Sequence, residues 1–127
     1  MKILVDTQIF LWAITGDPRL SKAHRTHYLD DANDLYLSVA SVWEILIKAG
    51  LGKLPIPSPA VEYIVQQMRL NRLSSLPIRL PHLAQLEKLP NVHRDPFDRV
   101  LVAQARAEGM AILSADSWLK KYEVRVL

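Results

Sequence analysis

The chain has 127 residues, half of them hydrophobic and 23% charged, which is enough for one domain with a buried core and too apolar for a disordered tail. Its 16 Lys and Arg against 13 Asp and Glu leave a net charge of +3, a mild basic balance that permits a polyanionic partner without requiring one. Zero cysteines exclude thiolate catalysis, disulfide frameworks and cysteine zinc sites.

Ile3-Leu4-Val5 reads as a buried strand that meets Asp6-Thr7 too early for a signal peptide. The apolar stretch Ile9 to Ile14 predicts a short buried helix ended by Gly16-Asp17-Pro18, and Ser21 caps a second helix running to about Asp31. Leu35 to Val39 is the next strand; Val42, Ile45, Leu46 and Ala49 then recur at helical spacing over Ser41 to Ala49, before Gly50 and Gly52. Three prolines make 55–59 a loop, and Ser58-Pro59 opens a helix with Val61, Ile64, Val65 and Met68 on one face. A short strand at Leu73 to Leu76 and a short helix at Pro81 to Lys88 follow. Asp95-Pro96 opens the clearest helix, with Phe97, Val100 and Leu101 facing a core and Gly109 as its stop. Ala111 to Leu113 is a strand, Asp116 to Lys121 a short helix and Val124 to Leu127 a last strand.

Strands alternating with helices predict an α/β fold, a single-domain α/β/α sandwich with a central parallel sheet over residues 1–127. Any site should lie beyond the carboxyl ends of the strands. No apolar run reaches membrane length, so a soluble cytoplasmic protein is expected. The four histidines, His24, His27, His82 and His93, show no metal-ligand spacing beyond a weak i,i+3 pair.

The informative residues are carboxylates. Asp6 ends the first strand, Glu44 is embedded among apolar neighbours, Asp95 and Asp98 open the best helix, and Asp116 follows the strand at Leu113 by three positions. In a doubly wound sheet these segments converge on one crevice, where like charges raise one another's pKa and each loses hydration. A divalent cation resolves that conflict, and Mg²⁺ or Mn²⁺ favours such oxygen donors. Each acid also has a structural explanation. Asp6, Asp95 and Asp116 can cap helices, Asp98 can favour a helix dipole, and Glu44 can pair with Lys48 one turn on.

With Leu4-Val5-Asp6-Thr7, Ser41-Val42-Trp43-Glu44-Ile45, Leu51-Gly52-Lys53-Leu54, the block His93 to Ala105 and Ser114-Ala115-Asp116 in this order, the chain resembles the PIN-domain ribonucleases, specifically the VapC toxins of bacterial VapBC toxin–antitoxin modules. The resemblance spans essentially the whole chain. It implies a PIN-like fold and a metal-dependent endoribonuclease whose catalytic, metal-binding quartet is Asp6, Glu44, Asp98 and Asp116, with Mg²⁺ or Mn²⁺ as cofactor. Asp95 joins as a helix cap leaning on the site, and Thr7 and Ser114 as hydroxyls that orient carboxylates or water. Gln8 departs from the His, Ser or Asn of many relatives, which touches substrate contacts rather than the chemistry.

The implied reaction is phosphodiester hydrolysis, with RNA as the substrate supplied by the resemblance. Lys48, Lys53, Arg94 and Arg99 are candidate phosphate contacts, each otherwise a solvated charge. The resemblance also implies a homodimer, and a cognate antitoxin that fills the active-site groove and alone brings the complex to DNA. Trp12, Ile14 and Trp43 read first as core residues and second as part of that groove. A phosphoacceptor receiver domain is disfavoured, since Asp6 stands alone and no middle strand ends in Asp. Grouped acids would be a liability in a non-catalytic nucleic-acid binder. A PIN nuclease of RNA processing with no antitoxin is the nearer rival.

Overall fold

Along the first strand, β1 (Lys2–Val5), alternate side chains enter two different cores: Ile3 and Val5 join one, Leu4 the other, and all three are fully buried. This period of two, with no polar face, is what a central strand covered on both sides requires. The second strand, β2 (Asp34–Ser38), repeats it, with Leu35 and Leu37 in the first core and Tyr36 against the second. The computed structural model describes residues 1–127 and places these strands in a four-stranded, all-parallel sheet with β3 (Leu73–Leu76) and β4 (Ala111–Leu113), in the order β3-β2-β1-β4.

The helices α1 (Thr7–Thr15), α2 (Lys22–Leu29), α3 (Val39–Gly50) and α4 (Ala60–Leu70) carry Ile9, Phe10, Tyr28, Ile45 and Ile64 into the first core. On the opposite face, α6 (Pro96–Glu108) and the 3₁₀ helix Ser117–Lys121 supply Leu101, Val102, Ala105 and Leu119, joined by Leu86 of α5 (Leu80–Lys88). The expected α/β/α sandwich is therefore present. The chain steps from β1 outward to β2 and β3, then crosses back over the sheet to place β4 beside β1. The order reverses at the β1–β4 pair, so the crevice beyond their carboxyl ends is the switch point at which such sheets bind ligands.

Local chemistry explains the boundaries, including those that differ from expectation. Ser38 is both the last residue of β2 and the N-cap of α3, its hydroxyl accepting from Ala40 N–H at 3.0 Å. That cap starts the helix at Val39, a residue expected in the strand. The helix expected to open at Ser58-Pro59 starts at Ala60, with Pro59 at its cap position and no side-chain cap bond. The expected last strand, Val124 to Leu127, is reduced to one parallel bridge between Val126 and Ile112, and the segment borders β4 through only two backbone hydrogen bonds. Buried His82 is a satisfied core histidine, its ring accepting from Arg79 N–H and meeting Glu108 at 2.8 Å.

Gly109 ends α6 in the left-handed region at φ +67°, where its N–H reaches the Ala105 carbonyl. A Cβ there meets no neighbour, so Gly109→Ala carries a purely backbone penalty of about 1 kcal/mol. The expected outcome is a melting temperature lowered by roughly 3–6 °C, read by circular dichroism.

Candidate active site

Three of the acids cap helices, and the capping fixes where their free oxygens point. Asp6 caps α1, its Oδ1 accepting from Gln8 N–H at 2.9 Å, while its Oδ2 accepts a short hydrogen bond from the Ser114 hydroxyl. Asp95 caps α6 through Phe97 N–H at 2.9 Å, and Asp116 caps the 3₁₀ helix through Trp118 N–H at 2.9 Å. Ser114 also accepts from Asp116 N–H at 3.0 Å, so one buried hydroxyl ties the end of β1 to the turn after β4. The capping explanations of Asp6, Asp95 and Asp116 hold as local structure. They do not exclude a site, because these carboxylates share one cavity.

That cavity, about 320 Å³, lies beyond the β1–β4 ends and is lined by Asp6, Glu44, Asp95, Asp98 and Asp116, with Thr7, Gln8, Trp12 and Lys48. Asp6 is 7% exposed and Glu44 8%, burial that leaves their charge poorly hydrated. Burial pushes the Asp6 carboxyl up; the hydrogen bonds from Ser114 and Gln8 pull against this, and Glu44 and Asp116 add to the rise. Asp98 is pushed up to about 7, first by burial and then by Asp95 and Asp6, with the nearby His93 partly opposing. One side chain that lines the cavity offers positive charge. Lys48 pairs with Glu44 Oε2 at 2.8 Å, which holds its ammonium pKa above the ordinary lysine value.

A further group against the acids is His93, which sequence spacing passed over. Its Nδ1 accepts from Asp95 N–H at 3.0 Å, assigning the proton to Nε2, which lies 3.2 Å from Asp116 Oδ2 and 3.3 Å from Asp98 Oδ2. His93, Asp98 and Asp116 bring one polar atom each within 4.8 Å of one another, and in this tautomer the ring bridges the two carboxylates as a hydrogen-bond donor. The available signal was a histidine two residues ahead of a helix-capping aspartate, close enough for the ring to accept that residue's N–H.

The other predicted residues divide. Thr7 is buried beside Asp6, but its hydroxyl donates to Ser41 at 2.8 Å and so braces α1 against α3 rather than orienting a carboxylate. Arg99 reaches the Pro90 carbonyl at 2.8 Å and the Tyr122 hydroxyl at 3.4 Å, away from the acids; it fastens the loop before α6. Lys53 and Arg94 do not line the acid cavity. Trp43 is 58% exposed and sits edge-on to Phe97, so the core reading fails for it, whereas Trp12 and Ile14 pack against the first core and Trp12 also lines the cavity.

The donor set fits a divalent cation. Five carboxylates converge on a cavity with one lysine, and hard oxygen donors in excess of local positive charge are what such ions take. Residues 3–124 match the PIN domain family. The chain belongs to the PIN-domain family. Ribonuclease VapC16 of Mycobacterium tuberculosis (strain ATCC 25618 / H37Rv) is 43% identical to this PIN protein over 53 residues, 42% of the chain and 36% of that relative. The match thus spans little more than a third of the curated relative's length. The fold resembles that of VapBC2 from Rickettsia felis, solved bound to a DNA fragment from their promoter, at TM-score 0.75 and 16% identity over 100% of this chain and 98% of that one. It also resembles VapBC-1 from nontypeable Haemophilus influenzae, at TM-score 0.68 and 17% identity over 100% and 97%. No helix of this PIN domain is long and apolar enough to cross a membrane.

Proposed function

We propose that this PIN domain is a divalent-metal-dependent endoribonuclease and the toxin of a VapBC-type toxin–antitoxin pair. The observation that carries the reading is the convergence of Asp6, Glu44, Asp98 and Asp116, with Asp95, on one undercompensated cavity at the switch point. The ribonuclease name of the Mycobacterium relative and the toxin–antitoxin complexes among the structural neighbours support it.

Asp6, Glu44, Asp98 and Asp116 would hold Mg²⁺ or Mn²⁺, with His93 Nε2–H donating to the last two. When bound, such a cation lowers the pKa of water and neutralises charge on a phosphodiester. The chain's own contribution is orientation. Ser114 and the α1 N-terminus fix the two oxygens of Asp6, and Asp95 fixes both the start of the helix bearing Asp98 and the ring of His93. Lys48, held at Glu44, is placed to meet a phosphate oxygen once a cation takes over that carboxylate. RNA as substrate, a homodimer, a cognate antitoxin through which DNA is reached, and action in the cytoplasm all belong to this same proposal.

The test is cleavage of a mixed cellular RNA pool by purified, antitoxin-free protein. Cutting is expected with Mn²⁺ or Mg²⁺ and none with EDTA. Cutting that survives EDTA would overturn the reading.

A further inference from the structure

Next to the acid cavity is a second cleft, about 220 Å³ and open to solvent, lined by Val92, His93, Arg94 and Trp118. His93 belongs to both, since its Nε2 touches Asp98 and Asp116 while the same residue lines the cleft. Trp118 is 51% exposed, which leaves much of its indole surface open to a ligand. Its backbone N–H donates to Asp116, which anchors the residue beside an acid of the site. Lys121 Nζ lies 3.7 Å from the ring centroid, taking part of the indole surface and adding positive charge at the cleft. Arg94 contributes an exposed guanidinium.

An exposed aromatic ring, a planar guanidinium and flanking ammonium groups form the set of side chains that stacks unpaired nucleobases and neutralises the strand between them. We propose that the Trp118–Arg94 cleft is a stacking subsite for a nucleobase next to the phosphate held at the acids. This rests on the nuclease reading above and adds the residues that seat the base beside the cut. Trp118 is a positioning residue here, since it touches the base and not the reacting phosphate. A protein partner covering the indole is the competing occupant, and the cationic rim argues for a polyanion.

The experiment follows cleavage of a single-stranded oligoribonucleotide with Mn²⁺ by the wild type, Trp118→Ala and Trp118→Phe, the last controlling for folding alongside melting curves. Trp118→Ala should raise KM roughly ten-fold with kcat within two-fold, and Trp118→Phe should recover most of the loss. Removing the base on the stacked side of the cut should raise KM of the wild type by a similar factor and leave Trp118→Ala nearly unaffected. In parallel, anisotropy of the labelled strand on Asp98→Asn, with and without Trp118→Ala, reads binding without cutting. An unchanged KM and unchanged binding in Trp118→Ala overturn the subsite, including the case in which Trp118 serves a protein partner. Absence of cutting by the wild type with Trp118-dependent binding to single strands sinks the nuclease reading and leaves the subsite standing.

Discussion

Asp6→Asn should abolish metal-dependent RNA cleavage while leaving the metal-free protein as stable as the wild type or more so. Replacing a residue that merely orients a metal ligand commonly costs 10–100-fold, and Asp6 is proposed as a ligand itself, so a loss beyond roughly a hundred-fold is expected. Asn is nearly isosteric, and its carbonyl oxygen keeps the N-cap bond from Gln8. Ser114 can turn its hydroxyl to accept from the new amide. What disappears is a buried charge with no cation of its own, pushed up by burial and by Glu44 and Asp116. Cleavage rates and melting curves on the same preparation check both halves. A variant that loses activity by unfolding would show that Asp6 is structural only, and one that still cuts at the wild-type rate would remove it from the machinery.

The second large effect is a pH dependence of metal-free stability that runs opposite to that of an ion-paired carboxylate. Asp98 has a folded pKa of about 7 against an ordinary value of 3.8. Folding therefore takes up a proton at this group. The stabilisation is fully present below about pH 4 and is lost as pH rises through about 7. Asp98→Asn has no such loss. The variant's melting temperature should thus pull ahead of the wild type between pH 5 and 7 by a few degrees, and the gap should level off above that. Saturating Mn²⁺ or Mg²⁺ should reverse the order at pH 8, since an ion that binds only the folded state raises the wild type most. A gap that does not change with pH would mean that the Asp98 carboxyl is not held in the protonated form by its neighbours.

The parallel sheet was legible because β1, β4 and the middle of β2 are short apolar runs between helical periods, and Ile3-Leu4-Val5 feeds both cores as such a run must. Asp6, Glu44, Asp98 and Asp116 were legible for the same reason inverted: they are acids at strand ends and on an apolar face, where packing does not call for them. The region around His93 was not. Its position depends on a backbone N–H from Asp95 and on the Tyr122 hydroxyl accepting from His93 N–H, a contact across 29 residues that spacing along the chain does not encode. Arg99 was misjudged on sequence proximity, since on α6 it turns to the loop at Pro90 while Asp98 beside it enters the cavity. The last strand failed because one bridge at Val126 satisfies the edge of β4, and the backbone then has no further partner to extend the pairing.

The edge-to-face pair of Trp43 and Phe97, 5.3 Å apart with planes at 76°, joins α3 from one layer to α6 from the other. Glu44 follows Trp43 directly and Asp98 follows Phe97, so each repelling acid is chained to one half of an aromatic clasp. The two layers are pushed apart by charge and drawn together by rings at the same seam. The seam is therefore closed by an apolar fastener at its rim as well as by the Lys48–Glu44 pair inside it.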